Sequence, residues 1–156
     1  MTEGNASPTA VDDTLEVDED SEATTVDVLA NDSTAPDVGE TLTITAVTQP
    51  ANGTVTFTAT EVSFTPAPNF HDTTSFTYTV SDGNGGEATA TVNVTVNPIN
   101  DPPTGVADTF TVDPSGGPMT LDVLANDSSA PELGETLTVS DVTQPASGGT
   151  VAIATG

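Results

Sequence analysis

The chain has 156 residues, 24 of them acidic, with no lysine or arginine and a formal net charge of −24, so it cannot neutralise its own carboxylates. Such a chain repels nucleic acid and anionic membrane surfaces, and it repels itself unless cations or salt screen it. The absence of cysteine excludes a disulfide framework and thiolate chemistry, leaving packing or metal to hold the fold.

Residues 1–8 read as a polar leader. Beyond them threonine, about a fifth of the chain, alternates with valine, isoleucine, phenylalanine and alanine, the composition of a pleated, half-buried surface. Strands are expected at 14–17, 24–29, 41–48, 54–59, 61–65, 74–81 and 87–96. Turn chemistry separates them, notably Asn52-Gly53 and the glycine-rich run 82–86. No helix is legible. Seven short strands with tight turns make a sandwich. Alternation turns Leu15 and Val17, Val26 and Val28, Leu42 and Ile44, Val55 and Phe57, Val62 and Phe64, Phe76, Tyr78 and Val80, and Val92, Val94 and Val96 towards one core. At 97–103 the texture changes to NPINDPP, whose three prolines cannot extend a sheet ladder and hold the chain stiff. The domains are therefore a complete repeat at 9–97, a linker at 98–103 and a partial second repeat at 104–156.

The second repeat is the first written again. TVDVLANDS at 25–33 returns as TLDVLANDS at 120–128, GETLT at 39–43 returns at 134–138, and the register runs without a gap from Thr9/Thr104 to Ala51/Ala146. Units this long enclose their own cores, so the pattern marks a tandem array of domains. Allowing for the extra Gly149, Gly156 falls at the position of Thr60, and residues 104–156 hold no counterpart of 61–97. The second repeat is thus expected to need more sequence, or cover from a neighbouring subunit. Without either, Val123, Leu137, Val139, Val151 and Ile153 would face water along an open sheet.

AVDD at 10–13, EDS at 19–21, VLANDS at 28–33, LTITAVTQP at 42–50, SFTYTVSDGNGG at 75–86 and NPINDPP at 97–103, in that order, resemble the bacterial cadherin-like tandem repeats of RTX-type and VCBS-type surface adhesins. The resemblance implies an all-β fold, an Ig-like (cadherin-like) antiparallel β-sandwich. It also implies a secreted setting in adhesion, biofilm or an extracellular filament, and rigidification by calcium. Two departures stand out. The acidic DEDSEA-type stretch after the first strand becomes DPSGGP at 113–118, and His71 and Asp72 follow Phe70 where glycine is usual.

Ca²⁺ takes six to eight oxygens from carboxylates, asparagine and backbone carbonyls. Asp12, Asp13, Glu19, Asp20 and Asp82 of the first repeat, with Asn100 and Asp101 of the linker, supply that ligand type. The cadherin-like resemblance implies that Asn100 and Asp101 share an ion with Asp108 or Asp127 of the following repeat. The alternative is that these are turn residues bonding their own backbone, and for Asn31, Asp32 and their copies Asn126 and Asp127 the turn is the preferred reading. DGNGGE at 82–87 is better explained as a glycine hairpin than as an EF-hand loop.

Tyr78, on an inward face, needs a buried partner for its hydroxyl, much as in a tyrosine corner. His71, the only imidazole, has no nucleophile partner in sequence and reads as a loop residue. With no tryptophan and one tyrosine there are no sugar platforms for a glycosidase, and the chain reads as non-enzymatic. The expected function is a structural spacer or fibre module of a secreted bacterial or archaeal surface protein, whose partners are neighbouring repeats or identical chains. The rival is a module holding carbohydrate or another protein through its loops. No apolar run approaches a membrane span. A secretory signal needs a basic n-region, so any export address lies outside these residues.

Overall fold

Seven strands form where β-branched residues alternate: β1 (Asp13–Asp18), β2 (Thr24–Val26), β3 (Thr43–Val47), β4 (Gly53–Phe57), β5 (Val62–Pro66), β6 (Asp72–Ser81) and β7 (Glu87–Asn97). The computed structural model describes residues 4–132 and 134–154. It divides into two units, Met1–Ile99 and Asn100–Gly156. All seven strands belong to the first unit. They make a four-stranded sheet in the order β1-β7-β6-β3 and a three-stranded sheet in the order β2-β5-β4.

Among the described residues every strand pairing is antiparallel except one, as in the antiparallel sandwich expected. The exception is β1, which runs parallel to β7, from Asp13 opposite Val92 to Asp18 opposite Asn97. β6 and β7 form a long hairpin, in register from Asp72 opposite Val96 to Ser81 opposite Glu87. Between the sheets lie Val17, Val28, Ile44, Val55, Val62, Phe64, Phe76, Tyr78, Val80 and the valines of β7, all buried. The rings of Phe64 and Phe76 stack with centroids 6.2 Å apart and planes 12° from parallel. Gly53 permits this packing, because a Cβ there would run into the Phe64 ring and the Thr65 carbonyl. The Asn52-Gly53 pair thus serves the core as well as the turn.

Three sequence expectations need adjustment. The strand expected at 24–29 stops at Val26 and the chain turns, although Val28 beyond it is still fully buried. Phe57, expected inside, is 43% exposed, because it is the last residue of β4, an edge strand. The leader is also tied down from residue 5 onwards. Asn5 Nδ2 donates to Asp82 Oδ2 at 3.0 Å, Ala6 N to Asp37 Oδ2 at 2.6 Å, and Pro8 is buried.

The second unit reproduces the local bonds of the first without its strands. Thr9 and Ser33 form an isolated bridge, and so do Thr104 and Ser128. Gln49 brackets Val55 like a strand partner, its Nε2 donating to Val55 O and its Oε1 accepting from Val55 N, each at 2.8 Å. Gln144 does the same to Val151 at 2.6 and 2.9 Å. Among the described residues of the second unit there is no strand, and Val106, Phe110, Val112, Met119, Val151 and Ile153 are each at least 40% exposed.

Candidate functional site

Acidic side chains of the first unit make three separate groups of contacts. The first joins the start of β1, which lies opposite the middle of β7, to the turn after β2. Asp32 closes the turn after β2, and its Oδ1 accepts from Val11 N at 2.8 Å. The Tyr78 hydroxyl, rising from the core, sits 3.1 and 3.2 Å from the two Asp32 carboxylate oxygens. It also lies 3.0 Å from Val11 O and 3.1 Å from Val28 O. One proton serves a single acceptor at a time, so the other oxygens form a cage of alternatives. Asn31 Nδ2 donates to Asp13 Oδ1 at 3.0 Å, and Asp12 Oδ1 accepts from Thr91 N at 2.8 Å.

Burial raises Asp13 above the ordinary carboxylate range, and the neighbouring Asp32 adds to this while Tyr78 and Asn31 oppose it. Burial likewise raises Asp32 against the pull of Val11 N and Tyr78. Burial and then the two carboxylates push the Tyr78 phenol up, so it stays a donor.

Asp82, in the hairpin turn, is buried. Its Oδ1 accepts from Asn84 N at 2.8 Å and Gly86 N at 2.9 Å. Desolvation works against its charge, but the hydrogen bonds from Asn84, Asn5 and Gly86 outweigh it and hold the carboxyl below its ordinary value. Gly86 has to be glycine, since a Cβ would collide with Asp82 Oδ2 and come within 2.9 Å of Ser7 Cα. Gly83 and Gly85, at φ of 82° and 105°, take the left-handed turn positions. The glycine hairpin read from the sequence is the structure's, and Asp82 is its acceptor.

The third group stands where the chain leaves the unit. Glu19 is 1% exposed. Its N donates to Asn97 O at 2.8 Å, its Oε1 accepts from Ile99 N at 2.6 Å, and its Oε2 lies 3.3 Å from His71 Nδ1. Asp20, at a left-handed φ of 57°, accepts from the N of Asn69, itself at φ 55°. Asn97 Nδ2 reaches Glu16 Oε1 at 3.0 Å and Asp18 Oδ1 at 3.3 Å.

The nine expected calcium ligands therefore fall into separate groups. Asp12 and Asp13 stand by Asp32 and Tyr78; Asp82 is engaged in its own turn; Glu19 and Asp20 hold the exit of the first unit. Asn100, Asp101, Asp108 and Asp127 belong to the second unit, where Asp101 N donates to Glu132 Oε1 at 3.4 Å and Asp127 Oδ1 accepts from Val106 N at 2.7 Å. Among the described residues no three histidine, cysteine, aspartate or glutamate side chains stand together as a metal-holding group. Glu19 and Asp20 at the exit offer hard oxygens, the donor type Ca²⁺ takes, and among the described residues neither unit gathers three such side chains.

The alternation turns Tyr78 inwards and calls for a hydroxyl partner, but does not name Asp32 as that partner. The loop position of His71 gives no sign of Glu19 beside it. The signal for the first was present, a buried tyrosine and an Asx-type turn in one module; the second carried none, since a lone Glu reads as solvated.

Two facing sheets, one closed by a parallel pairing of the first and last strands, and a tyrosine hydroxyl anchored to backbone carbonyls define an immunoglobulin-like sandwich domain. The family model of the bacterial Ig domain matches residues 5–95 and again residues 100–156. The chain belongs to that family, as two tandem copies. Domains of this family usually occur in extracellular surface proteins and are typically non-catalytic. No helix among the described residues is long and apolar enough to cross a membrane. None of the curated proteins matches the chain. Among solved structures, an endo-fucoidan hydrolase of glycoside hydrolase family 107 is similar at 20% identity and a TM-score of 0.39, over 64% of this chain. The chain spans only 15% of that hydrolase's length.

Proposed function

We propose that this chain is a spacer segment of a secreted bacterial surface protein of the RTX- or VCBS-adhesin kind, stiffened by calcium where one module gives way to the next. The supporting observation is the duplication itself: one Ig-like module twice, both copies matching the bacterial Ig family, joined by NPINDPP. An interior filled by valine and aromatic side chains serves to hold shape and separation. The function is then length and stiffness, and its partners are neighbouring repeats.

Calcium fits this role through charge and donor type. With a net charge of −24 and no lysine or arginine, only external cations can relieve repulsion along an array. Asn100 and Asp101 of the linker, sharing it with Asp108 or Asp127 of the same unit, would hold the ion, with water or backbone carbonyls completing the shell. Bound there, calcium supplies charge neutralisation and a cross-link.

The test is differential scanning calorimetry with small-angle X-ray scattering, in calcium and in chelator at matched ionic strength. Calcium should raise the Tm and extend the particle, because a ligand of the folded state stabilises it by mass action. Identical curves would leave Asn100 and Asp101 as turn residues and calcium out of the account. Monovalent salt should raise the Tm in either case, by screening.

A further inference from the structure

The two sheets of the first unit have β1 and β3 at the edges of one and β2 and β4 at the edges of the other, and an open edge is a template for a strand of another chain. Three of these edges are blunted. β1 carries Asp13, Glu16 and Asp18. β2 is three residues long, with Glu22 before it and Asp27 after it. β3 breaks register between Ile44 and Ala46, and Ile44 N is taken by Ala59 O at 2.9 Å. Charge, shortness and a bulge each discourage pairing.

β4 has none of these protections. It pairs with β5 in unbroken register from Gly53 to Phe57, and residues 51–60, ANGTVTFTAT, hold no charge and no proline in a chain with 24 acids. TVTFTAT at 54–60 is β-branched, aromatic and uncharged, the composition that stacks into sheets between chains. Thr54 and Thr56 are exposed, and Phe57 is partly so.

The group that occupies this edge is the side chain of Gln49. Val55 N donates to Gln49 Oε1 rather than to Phe64 opposite it, so the backbone groups of Val55 point away from β5. Gln49 Nε2 donates in turn to Val55 O, and both bonds are 2.8 Å long. A glutamine amide carries donor and acceptor side by side, so it offers β4 the two bonds that a residue of an adjacent antiparallel strand would make. The bracket needs no sheet in order to form. Gln144 holds Val151 in the same way, where among the described residues there is no strand.

We propose that Gln49 guards the β4 edge, occupying the central backbone position through which β4 of a second copy of this chain would add as an antiparallel strand. A two-fold pairing centred on Val55 would exchange between the two valines the same N–H and C=O bonds that Gln49 now takes, and would set Phe57 of each copy opposite Gly53 of the other. No carboxylate within 51–60 would oppose that pairing, whereas two β1 edges would bring like charges face to face.

The full chain and its Gln49→Ala variant would be compared by sedimentation over a concentration series, in salt that screens their charge, with amide exchange read on the same samples. Gln49→Ala should tighten self-association by about tenfold or more. The Val55 amide should exchange faster in the dilute variant and slow again as concentration rises, while in the unaltered chain it stays slow throughout. Adding Thr56→Glu, which puts a carboxylate on the pairing edge, should abolish the gain. Asn93→Glu, the same charge on the exposed face of β7 inside the other sheet, should not. Amides of β6 and β7 that stay slow mark the associating species as folded. Unchanged association of Gln49→Ala, association only with loss of β6 and β7 protection, or equal effects of the two glutamates would each overturn the proposal and leave Gln49 a stabilising residue alone. None of these readings depends on calcium, so this test and that of the spacer reading fail separately.

Discussion

The two copies in this chain share their opening sequence, yet only the first goes on to residues 61–97, and the pair separates what a β-module encodes locally from what it acquires by closure. The bridge at Thr9/Ser33 and Thr104/Ser128, the aspartate that holds Val11 N or Val106 N, and the glutamine bracket around Val55 or Val151 appear in both. Among the described residues strands appear only in the first. Local side-chain bonds need a few neighbouring residues. Strands need partners, and β2 and β4 both find theirs in β5 while β1 and β3 find theirs in β7 and β6. The module's second half is therefore the template on which the first half becomes sheet.

The largest expected effect comes from this difference. In the isolated chain, amides of β6 and β7 should exchange more slowly than those of residues 134–154 by about a thousandfold or more, as globally and locally opening segments do. A chain ending at Pro103 should unfold as one cooperative, monomeric unit. Equal protection in the two copies would break the comparison.

Next comes the tyrosine that joins the halves. Tyr78→Ala removes the largest fully buried side chain and should cost about 3–5 kcal/mol in denaturant unfolding. Tyr78→Phe, which removes the hydroxyl donor and leaves the Asp32 carboxylate only Val11 N, should cost about 1–3 kcal/mol. If Tyr78→Phe were neutral, the hydroxyl would be a passenger and Asp32 only a turn residue.

A smaller contrast sharpens the local side of the comparison. Gln49→Ala should cost about 1–2 kcal/mol in the first unit, since Val55 loses both backbone partners. Gln144→Ala should leave global unfolding unchanged and alter only chemical shifts around Val151. The same loss of stability from both substitutions would mean that the second copy is as closed as the first.

The smallest effect is in pH. Asp13 and Asp32 have folded pKa values raised by burial, so their contribution is fully present below the unfolded value and is lost as pH rises through the folded one. Asp82 has a lowered pKa, so its contribution is present above the unfolded value and is lost as pH falls through the folded one. The Tm should therefore rise modestly on acidification from neutrality, peak near the ordinary carboxylate pKa of about 4, and fall below it. Asp13→Asn should flatten the neutral limb and Asp82→Asn the acid limb. A Tm that falls steadily from pH 7 downwards would reverse the assignment.

Much of this fold is written in the alternation of threonine with valine, which placed all seven strands. The unread parts are those set by distant partners. Parallel pairing of β1 with β7 leaves no short turn between them and hence no local signal. Phe57 obeys the alternation yet lies exposed because it ends an edge strand, a property of sheet order rather than of neighbours in sequence. At the site, the turn character of Asp82 was legible because its carboxylate bonds nearby backbone, and that of Asp32 because its N bonds Leu29 O. The meeting of Tyr78 with Asp32 and of Glu19 with His71 was not, since each joins residues far apart in the chain.

The parallel pairing of β1 with β7 also decides how the first module responds to tension. A pull that draws the start of β1 and the end of β7 apart runs along both strands at once, so the ladder from Asp13/Val92 to Asp18/Asn97 is loaded in shear. Its bonds must yield together rather than one after another, as they would in a hairpin peeled from its open end. Glu19 extends the same seam, its N held by Asn97 O and its carboxylate by Ile99 N, so the load enters through a buried anchor before it reaches the strands. A module wired in this way resists stretching more than its thermal stability alone would indicate.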